Sequence, residues 1–331
     1  MDNHIKAGNQ AQSRVKPSER EEAHPRALRP GKAASTIGKQ WLPRVGVRAI
    51  KRQLKKIGEA VPAVLANEDP EDVHQMRVAA RRVRTYFQVL EDAPLFRARR
   101  LRQLSRRVHP LATALGDVRD LDILLRRVEA FAESASPPAG ALGTLRDELL
   151  WQRVKARRRL QRALGSRALR RVLRAPRKSA QQLVRRGEGA QRVLVRHFAG
   201  DAIWRRYEAV LSFEGIMPDP PAEELHGLRI ACKRLRYTLE LFDDDDQPAS
   251  SDLQQTLVTV QDRLGELQDS IFALRVLTNL RYTYPTNTVI EEFARQQDAY
   301  RDEIRSSFAP YWEKVSGSSF SQALADLIAA F

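Results

Sequence analysis

Four cationic side chains stand at helical steps near the start of the chain: His74, Arg77, Arg81 and Arg84, within VHQMRVAARRVRTYFQVLED at 73–92. The steps i, i+3, i+7 and i+10 set them on one narrow stripe of a helix. At about 1.5 Å rise per residue the stripe runs roughly 15 Å. Guanidinium groups offer planar forks of N–H donors that match the oxygens of carboxylate and phosphate. Held this close, like charges repel by a few tenths of a kcal/mol per i,i+4 pair, so an anion should compensate them. The chemistry implied is capture of an extended anion.

The same pattern recurs. Residues 225–244, LHGLRIACKRLRYTLELFDD, align with 73–92 without a gap, 152 positions away. His226 falls on His74, Arg229 on Arg77, Lys233 on Arg81 and Arg236 on Arg84, and the flanking Arg82 falls on Arg234. One basic helix face is as often merely solvated as it is functional. Recurrence argues otherwise and predicts a chain built from two copies of one unit. The second stripe also sits in acidic surroundings. Residues 207–280 hold 6 Lys+Arg against 14 Asp+Glu, yet four of the six basic residues lie in this one segment.

The elements that must position the stripes read as helices. In the first segment Met76, Ala80, Val83, Phe87 and Leu90 share the apolar side; in the second Leu228, Cys232, Leu235 and Leu239 do. Asp69-Pro70-Glu71-Asp72 predicts a capped helix start, with Asp as N-cap, Pro at the first position and acids in the first turn. Helices are expected at 44–66 with a kink at Pro62, to Asp92 for the first stripe helix (broken by Pro94), at 95–133 with a bend at Pro110, and at 141–163. A loop is expected over 134–140 and an Arg-rich connector over 165–187. The second set is expected at 188–213, 221–242, 250–281 and 286–315, with a short helix after it. No sustained period-2 alternation predicts a strand, so the fold class is all-α, two four-helix units. Residues 1–40 are expected to form a disordered basic tail, with 8 basic and 4 acidic residues.

A second motif keeps the same order. Leu115-Gly116-Asp117-Val118-Arg119-Asp120 resembles Leu264-Gly265-Glu266-Leu267-Gln268-Asp269. A glycine inside a helix is about 1 kcal/mol worse than alanine, so its recurrence suggests close packing. Asp120 and Asp269 are candidates to pair with stripe His or Arg residues and so orient them, a plain structural role for both being the equal alternative.

The chain has 331 residues, 57 Lys+Arg and 41 Asp+Glu, a net charge of +16. That balance predicts a polyanionic partner: nucleic acid, polyphosphate or an anionic surface. Most of the excess lies outside the stripes, since residues 146–206 alone hold 19 basic and 4 acidic residues. A single cysteine, Cys232, excludes an internal disulfide and a cysteine zinc site and fits a reducing cytoplasm. No apolar run is long enough to span a bilayer, so no membrane insertion is expected.

The two His-x-x-Arg helices, continued by Arg81 and Arg84 and by Lys233 and Arg236, together with the two Leu-Gly-(Asp/Glu)-x-x-Asp segments, resemble the CHAD family, the conserved-histidine α-helical domains, over about residues 41–331. The resemblance implies two four-helix bundles related by a pseudo-two-fold axis, with a basic cleft or pore between them. It implies binding of inorganic polyphosphate and association with polyphosphate granules in the cytoplasm, where other granule-associated proteins would be neighbours. Some members carry a triphosphate-tunnel domain ahead of this one. The 40 residues here are too short and polar for it, so its hydrolase activity is not carried over.

The primary expected contacts are His74, Arg77, Arg81, Arg84, His226, Arg229, Lys233 and Arg236. Arg82, Arg234, Arg48, Lys51, Lys55, Arg99, Arg102 and Arg106 are secondary candidates for the cleft wall, with Asp120 and Asp269 in support. The expectation is a binding module with no catalytic residue, no cofactor and no metal. One rival is a nucleic-acid-binding protein, disfavoured by 7% aromatic content and no basic–aromatic alternation. The other is a metal-dependent phosphohydrolase, for which His74, His109, His197 and His226 show no ligand spacing.

Overall fold

The structure, a computed structural model, describes residues 36–93, 95–135, 142–178, 183–184, 193–217, 220–243 and 250–331. The chain folds into helices, and among the described residues the only extended pairings are two isolated bridges, Trp41 with Leu194 and Phe96 with Val184. No helix among the described residues is long and apolar enough to cross a membrane.

A short 3-10 turn, Thr36–Lys39, precedes α1 and buries Ile37, so the folded body starts a few residues before the expected boundary at 41. The rest of the expected tail lies outside the described residues. α1 (Leu42–Glu59) carries Pro43 in its first turn and buries Leu42, Val45, Ile50, Leu54 and Ile57 at three- to five-residue steps. The expected kink at Pro62 is a full break: α1 ends and α2 (Val61–Ala66) begins with Pro62 in its first turn, where its missing N–H costs nothing. Asn67, at φ 61°, ends α2 in the left-handed region.

α3 (Pro70–Glu91) is the first stripe helix. Asp69 caps it as expected, accepting from the Glu71 amide at 2.7 Å. Pro94 and residues 136–140 of the expected loop lie outside the described residues. α4 (Ala98–Ala135) follows, with Pro110 inside it, then α5 (Gly143–Leu164). The expected connector is itself structured: α6 (Arg167–Lys178) buries Leu169 and Val172 and packs on α1 and α4.

The second series is α7 (Ala199–Leu211), α8 (Ala222–Leu241), α9 (Ser251–Thr283), α10 (Thr288–Ser306), α11 (Ala309–Ser316) and α12 (Ser318–Ala329). The first of these starts later than the expected 188, and the expected 286–315 helix breaks at Ser307. In the first series α1 packs on α3, α3 on α4 and α4 on α5; in the second α7 packs on α8, α8 on α9 and α9 on α10. The two series meet where α3 packs on α8 and α4 on α9. This all-α packing brings the two stripe helices side by side.

Candidate anion-binding site

The apolar sides of α3 and α8 go into the core, with Met76, Val83, Phe87, Leu228, Cys232 and Leu235 all buried. That burial fixes the rotation of both helices and leaves the stripes half-buried along their junction. Arg77 is held by α4: its Nη2 lies 3.1 Å from Asp120 Oδ1. Arg229 of α8 lies in the field of Asp269 of α9 and also of Asp120 and Arg77, so residues of all four helices share one site.

The recurrent glycines of α4 and α9 face the two central guanidiniums. A Cβ at Gly116 would sit 4.0 Å from Arg77 Nη2, and one at Gly265 would sit 3.4 Å from Arg229 Nη2. Each glycine thus lies against a stripe guanidinium, one turn before the aspartate that pairs with Arg77 or acts on Arg229 by charge.

The site is strained electrostatically. Burial, then Arg77 and Arg229, pushes Arg81 down to about 10. Burial, then Arg229, Arg81, Arg77 and Arg236, pushes the Lys233 ammonium well below its usual range. Burial lowers Arg229 as well, against the pull of Asp269. Asp269 is raised by its own desolvation, against the pull of Arg127 and Arg229. The cations thus repel each other in a poorly solvated place with two carboxylates to balance them. The Nε atoms of Arg77, Arg84, Arg229 and Arg236 are buried without a hydrogen-bond partner. Buried unpaired donors are rare in folded proteins and call for a ligand or solvent.

The other expected residues divide. His74 lies beside this cluster, lowered by burial and by Arg119, Arg77 and Arg81 against Glu71. His226 is exposed. Arg82 is already taken: its Nε and Nη2 donate to Glu240 of α8 at 2.6 and 3.0 Å. Arg236 Nε is 3.7 Å from the same carboxylate, and both guanidiniums lie over the Tyr237 ring, at 5.9 Å for Arg82 and 5.0 Å for Arg236. Burial, then the charge of Arg234, lowers Arg84. Arg48, Lys51, Lys55, Arg99, Arg102 and Arg106 are exposed. Three of them have partners of their own: Arg48 donates to Gln40, Lys55 pairs with Glu59, and Arg102 pairs with Glu91, roughly 20 Å along α3 from Arg77. They do not join the central cluster.

Sequence reasoning missed Glu240 and Tyr237, although both lie in the aligned second segment. It also missed Arg127 of α4, which reaches α9 and α10 by donating to Ser270 Oγ and Gln297 Oε1, each at 2.8 Å. Nothing in local spacing marks Arg127. Glu240 was detectable, because its counterpart in the alignment is Gln88. Among the described residues no group of three His, Cys, Asp or Glu side chains is arranged to hold a metal ion.

A family model described as the CHAD domain matches residues 48–278. Among solved structures, the crystal structure of the CHAD domain from the plant Ricinus communis is similar at 24% identity and a TM-score of 0.60, over 89% of this chain and 94% of that one. PptA from Streptomyces chartreusis is similar at 15% identity and a TM-score of 0.65, over 82% of this chain and 99% of that one. Likeness at these identities speaks for the fold. The comparison with curated proteins found no match.

Proposed function

Because this chain belongs to the CHAD domain family, whose members are in general associated with polyphosphate binding, we propose that it binds inorganic polyphosphate along the α3–α8 junction and thereby reaches polyphosphate granules. The observation that carries this reading is the set of buried, unpartnered Nε donors on Arg77, Arg84 and Arg229, beside the mutually repelling Arg81 and Lys233. A chain of phosphates supplies repeating acceptor oxygens and one negative charge per unit, which satisfies donors and relieves repulsion together. Arg77 and Arg229 act as forks held in place by Asp120 and Asp269, and Lys233 acts as a point charge between them. The role proposed is binding without catalysis.

The test is a titration with long-chain polyphosphate across salt concentrations. Affinity should fall steeply with salt as counterions are released. Replacing Arg77, Arg81, Arg229 and Arg236 by Ala should weaken binding by about 100-fold or more, since each charge-assisted contact is worth roughly 1.5–3 kcal/mol. Replacing the exposed Arg158, Arg162, Arg170 and Arg171 should weaken it far less. Equal losses would mean that bulk charge does the binding. Displacement of polyphosphate by duplex DNA at equal phosphate concentration would favour a nucleic-acid partner, and phosphate release with Mg²⁺ or Mn²⁺ would make the protein a hydrolase.

A further inference from the structure

The two ends of the junction differ by a single charge. In the gapless alignment of the stripe helices Arg82 stands for Arg234, Arg84 for Arg236, and Gln88 for Glu240. At one end the carboxylate of Glu240 sits between Arg82 and Arg236, bidentate to the first at 2.6 and 3.0 Å and 3.7 Å from the second. Its side chain is only 14% exposed. At the other end Arg234 of α8, the counterpart of Arg82, acts by charge on Arg84 of α3. There Gln88 brings no charge and is exposed. Arg84 Nε is buried with no hydrogen-bond partner. Arg206 of α7 adds a third guanidinium in the field of Arg234; the nearest carboxylate, Asp92, lies 3.8 Å from Arg206 Nη2.

A carboxylate held by a guanidinium fork occupies the place and geometry that a phosphate would take. We propose that Glu240 is a built-in anion that closes one arm of the site, so that a polyphosphate chain is bound one-sidedly, running from the Arg77–Arg229 centre into the arm of Arg84, Arg234 and Arg206. This rests on the polyphosphate reading above. At the Arg82–Arg236 arm an incoming phosphate meets a negative charge already seated on its donors. At the Arg84 arm it meets the buried Arg84 Nε, which has no partner, and an Arg206 whose carboxylate contact with Asp92 is long. The chain therefore has one entrance and a defined end.

Reciprocal variants test this, with isothermal titration of a sodium polyphosphate of defined length at low salt and helicity and Tm measured alongside. Gln88→Glu sets a carboxylate against Arg84 and Arg234 and should weaken binding roughly tenfold, the size of one charge-assisted contact. Glu240→Gln frees Arg82 and Arg236 and should tighten binding several-fold, even if the variant is less stable. Combining the two exchanges the closed arm and should return the affinity close to that of the unaltered protein. Gln88 is exposed, so its variant is free to fold whatever Glu240→Gln does. The inference is overturned if Gln88→Glu binds as the unaltered protein does, or if Glu240→Gln weakens binding in a protein of intact helicity. If the unaltered protein shows no affinity for polyphosphate, both the functional reading and this inference fall; if it binds and the variants do not differ, only the inference does.

Discussion

Lys233 shows how much one side chain in this site depends on what surrounds it. Arg77 and Arg81 of α3 and Arg229 and Arg236 of its own helix all disfavour its protonation, after burial itself. The carboxylates Asp120 and Asp269 act chiefly on the arginines. The folded-state pKa lies below the usual 10.5, so the unfolded chain binds more protons than the folded one between those two values. Stability of the free protein should therefore rise with pH through that window, fall as pH drops back through it, and show no further dependence on this group below it. A bound polyanion reverses the local field and favours the charged ammonium, so binding should take up a proton. Affinity should fall as pH rises between the free and bound pKa of Lys233. Calorimetry in two buffers of different ionisation enthalpy, between pH 7 and 10, reads the proton directly. Lys233→Arg, which stays charged, should diminish it. Heats that do not depend on the buffer would exclude this coupling. The sequence showed Lys233 as one more cation in a stripe. Its position beside four arginines depends on how α3 and α8 face each other, which periodicity along either helix alone does not specify.

At the scale of elements, much of the fold was readable where a local signal decides it. Asp69-Pro70 starts α3 where its cap chemistry requires, and the apolar positions of both stripe helices are the ones buried. The signals failed where two outcomes share one local chemistry. A proline can bend a helix or begin a new one, and at Pro62 the second happens. The Arg-rich segment read as a connector, yet within it α6 forms and buries Leu169 and Val172. Contacts between the series were the least legible, and Arg127 carries one of them. It leaves α4 to donate to Ser270 Oγ of α9 and Gln297 Oε1 of α10, both on buried residues, and lies 5.6 Å from the Tyr300 ring. Arg127→Ala would leave those two acceptors buried and unpaired. A loss of about 1–3 kcal/mol is expected for such a truncation, read as a lower Tm and a lower denaturant midpoint. Arg127 also pulls on Asp269, so part of the loss should appear in polyphosphate affinity. An unchanged midpoint would mean that packing alone holds α4 on α9.

Across the whole molecule the charge separates into two populations with different tasks. The surplus of residues 146–206 lies largely on the solvent faces of α5 and α6, where Arg158, Arg159, Arg162, Arg167, Arg170, Arg171 and Arg174 are exposed. Arg157 and Arg153 are not among them: Arg157 is buried and donates to the Val64 carbonyl at 2.8 Å, and Arg153 is half-buried and donates to Asp122. Exposed charges beyond a Debye length of about 8 Å are screened at physiological salt, so they steer a polyanion more than they hold it. The half-buried cations of the junction are screened less and should govern how long it stays. The two populations therefore separate kinetically. Substituting Arg158, Arg162, Arg170 and Arg171 should slow association and flatten its salt dependence, with little change in dissociation. Substituting Arg77 and Arg229 should speed dissociation and leave association nearly as it was. Stopped-flow association and dissociation of labelled polyphosphate at two ionic strengths distinguish these outcomes. Should the α5–α6 variant alter dissociation as strongly as the junction variant, the ligand would be resting on the outer helices, and the four-helix junction would not be the site.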